Sequence, residues 1–492
     1  MTDRSGEPAS PRAAYGREVL RRLFDALGVE LAGELLEATR AHVVVLYDRG
    51  ILPQAQGGPL IRALRALDGA RPVYDPQVED LYCWMERALV DRLGPEAAGN
   101  VQLARSRNDL DAAAYRMVLR RRLLDLADAQ TEVADAVLAR AYDGRTALIV
   151  ARTHGAPAQP TTLGHLLAAY LGVLTRDLDR TRAAYRVVNC SPLGACALAG
   201  TAFPLDREAL AAWTGFDALV ENTYDAVAST DYVLDALAAA AVGLAQVSRF
   251  LETLRLLVTA APPAVRLDPG LIQISSMMPQ KRNIVFIEHL RARAAHVAGV
   301  LAGALAASAA SPFEDSDLAS TDLQPTAWAA LEEAAGAYRV LGLALRTAAV
   351  ADGVPPADVV ASGATASELM DALVRRFGLA QRTAHRVVSA LVDRAPDPRE
   401  WTGELLRTVG REVAGRELAM DTDEVRVALD PARFVAGRAM RGGPAPVALA
   451  QDLAAAGAAL RAHRGWLAAA RARLVDARAR LAARCDALAA LA

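Results

Sequence analysis

Residues Ser275 to Asn283 read SSMMPQKRN and gather two hydroxyls (Ser275, Ser276), one ammonium (Lys281) and one amide (Asn283) in a single short stretch. Lys281 is the only lysine in 492 residues; the rest of the 55 basic side chains are arginine. Where a bare positive charge suffices, this chain writes Arg, so a retained Lys marks a place where a wide planar fork cannot replace a compact point charge. With exposed backbone N–H groups added, the stretch can hold a carboxylate and stabilise further negative charge developing on it. A serine in such a field can act as base on the carbon next to that carboxylate. The bland rival is a lysine left by chance on a solvated surface, and the surrounding elements must decide.

Those elements read as helices. Ala, Leu and Arg dominate while aromatic residues make up 5%, a composition that favours helix because Ala and Leu lose little on entering one. Helical periodicity starts near Tyr15 and recurs over 30–47, 59–67 and 110–142, and 72–94 reads as an extended approach followed by an amphipathic helix with Leu81, Trp84, Met85, Leu89 and Val90 on one face. Long, very apolar stretches follow at 161–185, 231–260, 283–309 and 326–350. Helices this long and apolar predict an extended bundle that packs against copies of itself. The unusual residues fall in irregular stretches between them, among them ARTHGAPAQPT (151–161) and RLDPGLIQISSMMPQKRN (266–283). SSMMPQKRN therefore sits on a loop feeding a helix N-terminus, where backbone N–H groups already favour an anion. Residues 1–12 read as a disordered lead-in, GVPP at 353–356 as a boundary, and 446–492 as a last helix that packs on the bundle or on a partner.

The bulk numbers narrow the function. A net charge of −2, with both signs interspersed, gives no electrostatic case for nucleic acid or an anionic membrane. Four scattered cysteines and seven histidines without HExxH-like spacing make a dedicated metal site unexpected. The N-terminus lacks a charged-then-apolar signal pattern, so a soluble cytoplasmic protein is the expectation.

SSMMPQKRN resembles the GSSxMPxKxNP signature of the fumarase/aspartase superfamily, and two further motifs occur in the family's order. ARSRND (104–109) resembles its first region, and THGAPAQPTTLGH (153–165) the second, which in argininosuccinate lyases reads THxxxAQPxTxGH. PLGACALAGTAFPLDREALA (192–211), NTYDAVASTDYVLDAL (222–237) and GGPAP (442–446) are similar to argininosuccinate lyase in particular. The resemblance implies an all-α subunit of three domains (1–104, 105–352 and 353–492), whose long central helices form the core of a homotetramer. It implies elimination of fumarate from a succinyl-type small molecule, without cofactor or metal, at sites shared between subunits. Carried over residue by residue, Ser275 is the base. Lys281 and Asn283 stabilise an aci-carboxylate, with Ser276 beside them. His154, oriented by Glu288, assists the leaving group. Ser106, Asn108 and Thr153 hold the fumarate half, Gln159 supports its loop, and Arg107 either touches ligand or pairs within the protein. His165 and the glycines Gly194 and Gly200 read as structural.

The departures cluster on the leaving-group side. HTGRSRND has become QLARSRND, with Gln102 and Leu103 in place of His-Thr; SDRD has become ASTD, with Thr230 in place of Arg; and Asn-Pro has become Asn283-Ile284. A stretch resembling YNKDLQEDK reads EDSDLASTD, so its Tyr, Gln and both Lys are gone. The chemistry half is kept and the recognition half rewritten. Three readings follow: a lyase for an N-substituted aspartate other than argininosuccinate, an argininosuccinate lyase with drifted contacts, or a non-catalytic homologue.

Overall fold

The computed structural model describes residues 11–76 and 78–491. The lead-in expected over 1–12 lies almost wholly outside the described residues. The architecture is helical, with four two-stranded sheets as clasps. In chain order the elements that matter are α1 (Arg21–Asp48), α2 (Leu81–Leu93), α3 (Arg107–Asp143), β1 (Leu148–Thr153), β2 (Ala156–Thr162), α4 (Leu163–Val188) and α5 (Asp231–Thr259). There follow β3 (Gln273–Ile274), β4 (Arg282–Asn283), α6 (Val285–Ala310), α7 (Gln324–Thr347), α8 (Ala366–Phe377), α9 (Gln381–Arg394), α10 (Gly403–Ala414) and α11 (Pro446–Ala489).

The stretch read as irregular around the second motif is an antiparallel hairpin, β1 against β2. Its first arm, LIVART, is β-branched enough to favour extended backbone. The predicted long helices are present within a few residues of their expected ends. One hydrophobic core runs through α1 to α7 and includes the inner face of α11; a second, over 369–429, is built by α8, α9 and α10 around Trp401. The last helix packs on its own subunit's bundle. Arg471 and Arg478 pair with Asp128 on α3 (3.3 Å) and Glu37 on α1 (2.8 Å).

Direction along the bundle decides where the motifs go. α3 and α7 run parallel: Tyr115 reaches Thr321 (3.1 Å) near their N-termini, and Arg140 donates to the Ala348 carbonyl (2.7 Å) near their C-termini. α5 and α6 are antiparallel, since Thr230 meets Ser308 at 2.8 Å. The first motif, Thr230 and residues 314–322 therefore share one end. The opposite end carries the β1–β2 hairpin and the segment leading into α6, fixed by pairing of Val265 with Val350 and of Leu148 with Gly353.

Inside the bundle Asp177 of α4 is buried against Arg180 (2.6 Å) and the Tyr338 hydroxyl (3.5 Å), and burial pushes its carboxyl up to about 6 from 3.8. A carboxyl whose folded pKa exceeds its unfolded one stabilises the fold fully below about 4, and that contribution is lost as pH rises through about 6. Asp177→Asn is therefore expected to be more stable than wild type by about 2 kcal/mol above pH 7, after allowing for the weakened bond to Arg180. The advantage should vanish as pH falls toward 4. Melting temperatures of both proteins across that range test this, and a pH-independent difference would contradict it.

Candidate active site

The first motif is built by a helix start. Ser106 caps α3: its Oγ accepts the Asn108 N–H (3.3 Å), while Asp109 Oδ1 accepts the Ser106 N–H (3.0 Å). Burial pushes the Asp109 carboxyl up, yet its other oxygen accepts the Gly194 N–H at 2.9 Å and so ties the 192–200 loop to the motif. Gly194 takes φ +83°, a conformation that suits glycine. Behind the cap the buried Arg105 donates to Thr39 Oγ1 (3.1 Å) and to Gln102 Oε1 (3.2 Å). Gln102, one of the departures, thus replaces His with an acceptor for a buried guanidinium. The carbonyl of Leu103 bonds His42 Nε2 at 2.9 Å, and burial depresses that imidazole to about 3, leaving it neutral.

Ahead of the cap lies a cleft of roughly 1010 Å³, its open mouth included. Arg107 and Asn108 line it, and Arg107 is held by Asp80 at 2.5 Å. Of the acids in the rewritten stretch, Asp315 and Asp317 reach the cleft, whereas Glu314 and Asp322 do not. Sequence reasoning missed Asp80, Asp111 and Asp315. The signal for Asp111 was available, because it lies four residues after Arg107 on the same helix face. Asp80 is also the N-cap of α2, accepting the Cys83 N–H at 2.8 Å.

The signature loop forms at the opposite end. β3 and β4 close it by pairing Gln273 with Asn283 and Ile274 with Arg282. Within it Ser275 Oγ accepts two backbone N–H groups, from Met277 (3.3 Å) and Met278 (3.0 Å). Lys281 is exposed, as are Ser276 and Glu288, and Met277 is 88% exposed. The tight loop expected around Lys281 is thus open within one subunit. On the hairpin, His154 sits at the turn with φ +54°, followed by Gly155 at +81°. A left-handed residue other than glycine costs about 1 kcal/mol or more, and such strain gathers at functional sites. Thr153, His154 and Gln159 are all exposed. His165 is bonded at both ring nitrogens, to Thr161 (2.8 Å) and to the Gly442 carbonyl (3.0 Å), a structural role.

One subunit thus holds three separate groups: Ser106, Arg107 and Asn108 at the cleft; Thr153, His154 and Gln159 on the hairpin; Ser275, Ser276, Lys281 and Asn283 in the loop. No hydrogen bond or ion pair joins His154 to Glu288 among the described residues. At 1.5 Å per residue, α3 carries its first and last residues about 55 Å apart, and the 23 residues of α6 between Val285 and Ser308 span about 35 Å. No side chain bridges such a gap.

The family described as Lyase matches residues 72–299, and that described as Argininosuccinate lyase C-terminal matches 363–436. Argininosuccinate lyase 2 of Agrobacterium fabrum is 32% identical over 90% of both chains, and argininosuccinate lyase of Methanoculleus marisnigri is 36% identical over 87% of both. The crystal structure of EDDS lyase in complex with formate superposes with a TM-score of 0.87 at 32% identity, covering 98% of this chain and 96% of that one. A class II fumarase from Schistosoma mansoni, 14% identical, shares the fold with a TM-score of 0.68, covering 88% of this chain and 98% of that one. The chain belongs to the fumarase/aspartase superfamily, close to argininosuccinate lyase, and is a carbon–nitrogen lyase.

Proposed function

We propose that this lyase eliminates fumarate from an N-substituted aspartate other than argininosuccinate, as a soluble cytoplasmic homotetramer whose sites draw on several subunits. The observation that carries the chemistry is the Ser275 hydroxyl accepting two backbone N–H groups. Two donors on one oxygen stabilise its alkoxide, the form a serine needs to act as base. In this reading Ser275 takes the proton from the carbon alpha to a carboxylate. The electron pair passes into that carboxylate, and the aci-carboxylate is held by Lys281, Asn283 and Ser276. On collapse the C–N bond breaks, the amine leaves with a proton assisted by His154 with Glu288, and fumarate departs from Ser106, Asn108, Thr153 and Gln159.

The tetramer is supported by α6. Its second half, from Val297 to Ala310, carries no charged residue, yet over the whole helix only Ile287, Leu290, Ala294, Val297 and Ala304 are buried within the subunit. α5 and α6 are both long and apolar enough to cross a membrane. We assign them to helix packing between copies, because α5 is over half buried already and α6 lies against it.

The identity to argininosuccinate lyases favours argininosuccinate as a second reading of the substrate. Against it, residues 314–322 supply carboxylates where the arginine half would need a partner for its own carboxylate. Unpaired like charge in a closed site disfavours a substrate by roughly a thousandfold. The test is kcat/KM for argininosuccinate, expected below about 10² M⁻¹s⁻¹; a value near 10⁴ M⁻¹s⁻¹ or above, ordinary for a dedicated enzyme, would restore that substrate.

A further inference from the structure

The cleft beside the first motif has two unlike walls. One is apolar, formed by Leu20, Leu23, Phe24, Leu27 and Leu31 of the N-terminal helices. The other carries Glu79, Asp80, Asp111, Asp315 and Asp317, and against these five carboxylates the lining offers a single cation, Arg107. Arg107 is already paired with Asp80. Asp111, one turn into α3, is half-buried and lines the cleft, and no hydrogen bond or ion pair to it is found among the described residues. Burial, reinforced by Asp80 and Asp315, pushes its carboxyl well up, and Asp315 is raised by burial and by Asp317. Arg107 offsets part of this, but five acids against one already-paired cation are held together only at a cost, and a ligand cation removes that cost.

We propose that the amine released with fumarate carries a second cationic nitrogen on an apolar spacer and no carboxylate at that end. This rests on the lyase reading above and names its leaving-group class. The spacer lies along the leucine wall, and the cation sits between Asp111 and Asp315. The alpha-carboxylate of an amino acid would add a further acid to a wall that already holds five against one cation. The expected preference is about a hundredfold, the effect of roughly one like-charge contact in a partly screened cleft.

Matched pairs that differ by one carboxylate isolate the effect: agmatine against arginine, and putrescine against ornithine. The first arm measures binding to the Ser275→Ala enzyme by calorimetry, with no chemistry involved. The decarboxylated member of each pair should bind at least tenfold more tightly, and Asp111→Asn should remove most of that difference. Equal binding, tighter binding of the amino acid, or a preference unmoved by Asp111→Asn would overturn the proposal. The second arm follows fumarate consumption by the wild-type enzyme with the same four amines. Turnover favouring agmatine or putrescine supports the proposal, and turnover favouring the amino acids overturns it. Selective binding in the first arm without turnover of any amine would overturn the lyase reading while leaving the cation site standing.

Discussion

Ser275→Ala is expected to lower kcat for the enzyme's succinyl-amine substrate by about 10⁴-fold, because no other group on the signature loop can take the proton in its place. The fold should be indifferent to the change. The Ser275 side chain bonds only the N–H groups of Met277 and Met278, in a loop open to solvent, so melting temperature should move by no more than about 2 °C. Fumarate should still bind, since the groups assigned to hold it lie elsewhere. Activity within tenfold of wild type would remove Ser275 from the role of base. Lys281→Arg, in the same assay, asks whether point charge or mere charge is required. Lys281 is exposed in the single chain, so in the proposed tetramer its confinement would come from a neighbouring copy. A mild effect would return Lys281 to the surface-survivor reading.

The signature loop shows how far sequence reasoning reached. Motif resemblance pointed to a lyase, and composition named the helices, because both rest on local stretches of sequence. A hydroxyl, an ammonium and an amide are what they are wherever the chain puts them, and an Ala- and Leu-rich stretch helps itself into a helix. What could not be read was the clustering of acids at the cleft. Asp315 lies more than 200 residues from Asp80 and Asp111, and the parallel course of α3 and α7 is what brings it to them. Composition near 151–161 also hid a hairpin. The stretch reads as irregular, whereas the positive φ of His154 and Gly155 makes them the turn of β1–β2. Gln102 was read only as a lost His; its role on the buried Arg105 depends on Thr39, 63 residues earlier.

The same helix lengths that scatter the motifs lead to the second large effect. If one site needs the loop of one subunit and the cleft of another, two inactive variants can rescue each other. Ser275→Ala lacks the base but has an intact cleft, and Asn108→Ala has the reverse. Random reassociation at equal amounts should leave roughly a quarter of sites with both groups intact, so activity should rise from near zero to that fraction of wild type. In a site drawn from a single chain every site keeps one lesion and no activity returns. The separation of about 35 Å along α6 already argues against the single-chain arrangement for this pair. Ser275→Ala mixed with His154→Ala asks a question that helix length does not answer, since the loop and the hairpin lie at the same end of a subunit. Rescue there would show that the loop and the hairpin of one site also come from different chains. Exchange is followed by mixing differently tagged subunits, and demonstrated exchange with no return of activity in the Asn108→Ala pair would sink the shared site. In that case the exposed apolar face of α6 would need a different partner.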